Sequence, residues 1–129
     1  MLATITPGGA PHLVPVTFVL DGDTLWWAVD EKPKRSRALA RLANIEAEPR
    51  VSLLVDHYED DWDALWWVRA DGVASTSAGR EDAERALSML ASRYEPYRRS
   101  APGGPVVRVD VERWRWWSAA SGPERPRRP

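Results

Sequence analysis

Both lysines of the chain, Lys32 and Lys34, lie in the segment Glu31-Lys32-Pro33-Lys34-Arg35-Ser36-Arg37, and every other fixed cation is an arginine. The segment separates a strand-like run from the first helical pattern, so Lys34, Arg35, Arg37 and then Arg41 crowd the start of a helix. A helix N-terminus already carries partial positive charge and unpaired N–H groups, and cations there are unfavourable until an anion arrives. The pattern therefore points to a phosphate or carboxylate ligand, although Arg37 and Arg41 read equally well as the solvated face of a helix. Further along, His57 and Tyr58 end an apolar run beside an acidic stretch, Glu59, Asp60, Asp61 and Asp63. An imidazole or phenol placed there could hydrogen-bond a ligand or deliver a proton, while the plainer reading has His57 held by Asp56 or by backbone. The carboxylates read as solvated, or paired with arginines, and His12, just after a turn, is expected at the surface. No Ser-His-Asp order or paired-carboxylate motif is visible. Without cysteine there is no disulfide, thiolate metal site or cysteine nucleophile, and two histidines far apart do not compose a zinc site.

These groups must be positioned by a single domain, since 129 residues suffice to bury a core without covalent staples. The formal net charge of -1 implies no polyanionic partner, although Lys32, Lys34, Arg35, Arg37 and Arg41 face a later cluster of Asp56, Glu59, Asp60, Asp61 and Asp63. No apolar run approaches a membrane span and the first residues are no signal peptide, so a soluble cytoplasmic protein is expected. Strand signals fill Leu2 to Thr6, Pro11 to Leu20 and Thr24 to Asp30, with turn chemistry at Pro7-Gly8-Gly9-Ala10 and Asp21-Gly22-Asp23. Ser36 would cap a helix striped by Ala38, Leu39, Leu42 and Ile45 and stopped before Glu48, the residue preceding Pro49. Strands follow at Val51 to Tyr58 and from Leu65 towards Ser75, where Gly72 marks a bulge or a bend. Ser77 would cap a second helix carrying Ala83, Ala86, Leu87, Leu90 and Tyr94, closed by Pro96. A last strand runs from Val106 to about Ser118, and residues 121–129 read as a disordered Pro/Arg-rich tail after a domain of residues 1–120.

Three strands, a helix, two strands, a helix and a strand do not alternate as a doubly wound sheet requires. A small, mostly antiparallel barrel with helices at its seams fits the order better: mainly β, α+β in class, with six or so strands and two main helices. The doublets Trp26-Trp27, Trp66-Trp67 and Trp116-Trp117 each fall on a strand, where neighbouring side chains face opposite ways. One ring of each pair must leave the barrel core, so a second chain, a planar ligand or a helix has to cover it.

The runs Leu2-Ala3-Thr4-Ile5, Pro11-His12-Leu13-Val14-Pro15-Val16, Lys32-Pro33-Lys34-Arg35, Pro49-Arg50-Val51-Ser52-Leu53-Leu54-Val55-Asp56-His57-Tyr58, Leu65-Trp66-Trp67-Val68-Arg69-Ala70-Asp71-Gly72 and Trp114-Arg115-Trp116-Trp117-Ser118-Ala119 resemble the pyridoxamine 5'-phosphate oxidase-like split β-barrel superfamily. Lys32-Pro33-Lys34-Arg35 together with Asp56-His57-Tyr58 is most similar to its actinobacterial branch of coenzyme F420-dependent oxidoreductases. The resemblance implies a split β-barrel of the FMN/F420-binding type, a homodimer, and two cofactor sites each built from both chains. It places the ring edge of a flavin or deazaflavin at Pro15, Val16 and Thr17, and the anionic part at Lys32, Lys34, Arg35, Ser36, Arg37 and Arg41. His57, Tyr58, Trp62 and Trp66 then become candidates for a substrate or partner-chain wall. One departure is the start of the chain: relatives carry a helix before the first strand, so either the start is misassigned or the dimer and ring pocket are trimmed.

The implied activity is hydride transfer from reduced F420 to an unsaturated or quinone-like small-molecule acceptor, with FMN as the alternative cofactor. A barrel that holds a flavin, a tetrapyrrole or single-stranded nucleic acid without turnover is the competing class. Lysines gathered at one helix end suit a discrete anion, whereas a nucleic-acid groove spreads its cations along a track, so neither nucleic acid nor membrane is expected as a partner.

Overall fold

The computed structural model describes residues 1–29 and 35–121, the side chains of residues 35–38 and of Ser121 excepted. Seven strands form one sheet: β1 (Leu2–Ile5), β2 (Pro11–Val14), β3 (Val19–Asp21), β4 (Thr24–Ala28), β5 (Arg50–His57), β6 (Trp66–Ser75) and β7 (Val106–Ser118). Their order is β2-β1-β5-β6-β7-β4-β3, and every pairing is antiparallel. Helix α1 (Arg35–Ala47) joins β4 to β5, while α2 (Arg80–Arg93) and the short α3 (Glu95–Arg99) join β6 to β7. The sheet curls on itself, because Leu2 at one end of the strand order and Leu25 and Trp27 near the other share one buried cluster with Val51, Leu53, Val107 and Val109. Ile45 of α1 joins that cluster and Leu42 packs against it.

The strand expected over Pro11 to Leu20 is divided. Pro15 cannot donate to a ladder, so β2 stops at Val14 and pairing resumes at Val19. This division makes seven strands of the expected six or so. Helix α1 begins at Arg35, one residue ahead of the cap position expected for Ser36. Gly79, not Ser77, occupies the N-cap of α2, where no side-chain cap bond forms. Pro96 does not close α2, which has already ended at Arg93; it lies in the first turn of α3, where a missing N–H costs nothing.

Trp26 and Trp27 do point to opposite faces, yet both are 1% exposed. Trp27 fills the inner core, and Trp26 lies outside the barrel with Val19 and Ala28 beneath Ala86 and Leu90 of α2. The other doublets lack the cover that α2 gives Trp26: Trp66, Trp116 and Trp117 remain exposed. They sit where the sheet outgrows the barrel. Pairing of β1 with β5 at Ser52 and Leu53 is continued no further than the Met1–Leu54 bonds, and pairing of β4 with β7 from Val106 to Asp110 no further than the bond from the Val111 N–H to Asp23. The ends of β5, β6 and β7 therefore extend as three strands with no further neighbours in the ladder. Gly72 marks the base of this extension, where the β6–β7 register slips between Asp71 and Gly72 and leaves Glu112 as the bulged residue. A Cβ on Gly72 would overlap the Asp110 carbonyl oxygen, which is why glycine stands there.

Candidate functional site

Lys32 and Lys34 lie outside the described residues, and Arg35, Ser36 and Arg37 are described only as backbone in the first turn of α1. That turn contains no acidic residue to offset its positive end. Arg41, half-buried, holds its guanidinium over the Trp27 ring, 5.8 Å from the centroid. A cation stacked on an aromatic face keeps its N–H edges free, so Arg41 can still reach an anion while Trp27 fixes its position. Buried Trp27 itself has an indole N–H without a hydrogen-bond partner among the described residues. Donors and cations with no carboxylate in the helix turn make a set suited to an anionic, phosphate-bearing group.

Pro15, Val16 and Thr17 form the link between β2 and β3. Val16 packs against the inner core, Pro15 is exposed, and the Thr17 hydroxyl is 2.9 Å from that of Tyr97. His57, Tyr58, Trp62 and Trp66 gather at the tip of the three-stranded extension. His57 and Trp66 are register partners, and their rings stack at 6.1 Å with planes 16° apart. The His57 Nε2 lies 3.0 Å from Glu59 Oε2, so its carboxylate partner is Glu59 rather than the expected Asp56. Tyr58 and Trp62 are 70% and 69% exposed. Among the described residues no hydrogen bond, ion pair or ring contact joins this aromatic tip to the Pro15–Thr17 link or to Arg41. Among the described residues, the expected wall is separate from Arg41 and from the link at Pro15, Val16 and Thr17.

The outer face of the sheet carries a polar arrangement that the sequence did not announce. Asp71 accepts from the Ser52 hydroxyl at 2.6 Å and from Arg69 at 3.0 Å, and Arg113 stands opposite it on β7. Burial alone would raise the Asp71 pKa, but the bonds from Ser52 and Arg69 and the charges of Arg69 and Arg113 outweigh it and hold the carboxyl below its ordinary value. A cleft of about 730 Å³ opens beside this group, lined by Thr4, Arg50, Glu112 and Arg113 among others. A second, more apolar one of about 410 Å³ adjoins it over Leu13, Leu54, Trp67 and Arg69. Period-two spacing on facing strands, Ser52, Leu54 and Asp56 against Asp71, Arg69 and Trp67, was the available signal for this face.

His12, expected at the surface, is half-buried on β2 opposite Thr4, with its Nδ1 buried and without a partner among the described residues. Thr4 in turn accepts from Asn44 of α1 at 3.2 Å, a buried polar bond between helix and sheet. Trp114, which opens the last of the runs that carry the resemblance, ties the extension to the β3–β4 turn by donating from its indole to Asp23 at 3.0 Å. No group of three or more His, Asp or Glu placed to hold a metal occurs among the described residues, and no described helix is long and apolar enough to cross a membrane.

No curated protein matches the chain. Among solved structures, it is similar to a conserved hypothetical protein of Mycobacterium tuberculosis, with 26% identity and a TM-score of 0.72 over 98% of this chain and 81% of that one. A heme-binding protein of Mycobacterium smegmatis matches with 25% identity and a TM-score of 0.70, over 99% of this chain but only 50% of its own length. An FAD-binding protein of Mesorhizobium loti shares the fold at 20% identity and a TM-score of 0.61, over 88% of this chain and 80% of that one. The family model described as pyridoxamine 5'-phosphate oxidase matches residues 1–118. With that match spanning all seven strands, the chain belongs to the pyridoxamine 5'-phosphate oxidase-like family of split β-barrels.

Proposed function

We propose that this protein is an oxidoreductase that binds coenzyme F420, or FMN as the alternative, and passes hydride to an unsaturated or quinone-like small-molecule acceptor. The observation that carries the reading is the opening of α1: a first turn free of acid, two lysines just before it in sequence, and Arg41 seated on Trp27 with its N–H edges available. A deazaflavin with a phosphodiester and an oligoglutamate tail brings more negative charge than FMN, which favours F420 at a site with this many cations. Lys32, Lys34, Arg35, Ser36, Arg37 and Arg41 hold the anionic part, and Pro15, Val16 and Thr17 border the ring. The bound cofactor supplies the reactive carbon, while the chain supplies orientation, charge and exclusion of water.

The working unit in this reading is a homodimer. Among the described residues nothing joins Arg41 to the aromatic tip of His57, Tyr58, Trp62 and Trp66, so in this reading a complete site takes its wall from a second copy. The outer sheet face suits such an isologous contact, because Leu54 and Trp117 are exposed among carboxylates and guanidiniums in close alternation, which a two-fold axis can bring into register. A non-catalytic carrier of a flavin or tetrapyrrole is the second reading. Its support is His57, whose Nε2 is engaged by Glu59 while its ring lies flat on exposed Trp66, and the similarity to a heme-binding protein.

Parallel calorimetric titration with F420 and FMN tests the cofactor. Oxidation of reduced F420 in the presence of a quinone or an enone then tests turnover. Binding of neither cofactor overturns the oxidoreductase reading, and tight binding without oxidation above buffer moves the protein to the carrier class. A hemin Soret band that depends on His57 would establish the tetrapyrrole alternative.

A further inference from the structure

The chain from Pro15 to Phe18 has no ladder of its own, and a side chain completes it. The Tyr94 hydroxyl accepts from the Phe18 N–H at 3.2 Å and donates to the Phe18 carbonyl at 3.0 Å, so one phenol serves both backbone groups as a neighbouring strand would. One residue earlier the Thr17 and Tyr97 hydroxyls share a bond of 2.9 Å. The two tyrosine rings meet edge to face at 5.9 Å, and the Arg93 guanidinium lies 5.5 Å from the Phe18 ring and 5.3 Å from that of Tyr94. Tyr94 is also the residue at which α2 ends and α3 begins, and its N–H donates to Leu90 at 2.9 Å. Its phenol therefore projects from a backbone fixed by two helices.

We propose that Tyr94 and Tyr97 are positioning residues for the cofactor ring, acting through residues 15–18 rather than by contact with the ring. The inference rests on the reading that the ring edge lies along Pro15, Val16 and Thr17. Those residues have freedom that a paired strand would remove, and the two phenols remove it instead. The depth and tilt at which a flat ring seats against the link are then set from the α2–α3 junction. The pair Thr17 and Tyr97 shares a single bond, so deleting either hydroxyl deletes the same interaction.

The experiment uses the full chain and the variants Tyr94→Phe, Tyr97→Phe and Thr17→Val, together with the double variant Tyr97→Phe/Thr17→Val. Amide exchange of residues 16–18 is measured without cofactor, and affinity and the absorption spectrum of bound F420 and FMN are measured with it. Tyr94→Phe should speed exchange at Phe18 about tenfold or more. It should also weaken cofactor binding by about threefold to tenfold and shift the bound spectrum. Tyr97→Phe and Thr17→Val should resemble each other, with the double variant no worse than either. Because Thr17 is exposed, its variant reports on the clamp even if a tyrosine variant unfolds. Faster exchange with parental affinity and spectrum would make the clamp purely structural and overturn the proposal while leaving the cofactor reading intact. A parent protein that binds neither F420 nor FMN overturns the cofactor reading, and the proposal with it.

Discussion

Replacing Asp71 by Asn keeps its shape and removes its charge at the centre of the outer sheet face. In the native chain Ser52 donates to Oδ1 at 2.6 Å, Arg69 donates to Oδ2 at 3.0 Å, and the Arg69 Nε stands 2.9 Å from Oδ1, close but not aligned as a hydrogen bond. An amide in the same place can turn its NH2 to Ser52, whose hydroxyl then accepts, and keep its oxygen on the Arg69 donor. The Arg69 bond therefore loses its carboxylate charge and is no longer assisted from both sides. Shielded, such a bond contributes about 1.5–3 kcal/mol. The side chains of Asp71 and Arg69 keep 28% and 42% exposure, and solvent screening reduces the loss to about 1–2 kcal/mol at neutral pH.

The pH dependence has a definite sign. The folded pKa of Asp71 lies below its unfolded value, since Ser52, Arg69 and Arg113 outweigh burial. A depressed carboxyl adds stability that is fully present above the unfolded value of about 3.9 and is lost as pH falls through the folded one. Urea unfolding of both proteins from about pH 7 to about pH 3 should show a gap that is wide at neutral pH and starts to narrow below about pH 4. Two stability curves that stay parallel down to the acid limit would refute the account, because the carboxylate would then contribute no charge-dependent stability.

Gly72→Ala should cost more, about 1–3 kcal/mol, because its new methyl meets the Asp110 carbonyl and the Val111 backbone, neither of which can turn away; the urea midpoint reads it. Lys34→Ala should weaken cofactor binding by about 10- to 100-fold, with Arg37→Ala similar or smaller, while apo melts stay level or rise slightly. Unchanged affinity in the double variant would place the anion elsewhere. Leu54→Asp should halve the mass seen by light scattering without unfolding the chain, since Leu54 is 37% exposed, and a mass that does not change removes the outer face as the dimer contact.

Much of the fold was legible because period-two alternation and turn chemistry are local. The strands Arg50–His57, Trp66–Ser75 and Val106–Ser118 and the end of α1 at Ala47, just before Glu48-Pro49, all follow from short stretches of sequence. The errors arose where a tertiary partner decided. Pro15 broke a strand that its apolar neighbours suggested, and Tyr94, 76 positions beyond Phe18, supplies the bonds that Phe18 would have found in a ladder. Ser77 lost the cap of α2 because the helix starts only at Arg80, with Gly79 at the cap, while the Ser77 N–H donates to the Ser75 hydroxyl in the turn before it. Trp26 left the barrel core as alternation requires, but α2 was there to receive it. For the candidate site, sequence supplied the cationic helix start and the aromatic tip. It was silent on Asp71, whose partners Ser52, Arg69 and Arg113 come together only through the strand register.

The proposed two-chain site draws its physical argument from the three-stranded extension. Isolated strands with two wet faces are marginal, and this one exposes apolar groups on both: Leu54 and Trp117 on the outer side, Val55, Trp66 and Trp116 on the inner. Its register is nonetheless tightly specified, by the Trp67–Trp117 and Val68–Trp116 pairs, the His57–Trp66 stack, and the indole bond from Trp114 to Asp23. A rigid, doubly exposed aromatic ribbon has the form of a surface kept ready for a second body. Hydride transfer asks for such a body more than for an acid or base, because the reacting carbons must be held dry and in line. In a dimer one copy would bring the charged cradle at α1 and the other its ribbon, so that the water excluded from the ring and the apolar surface removed from solvent would be the same event.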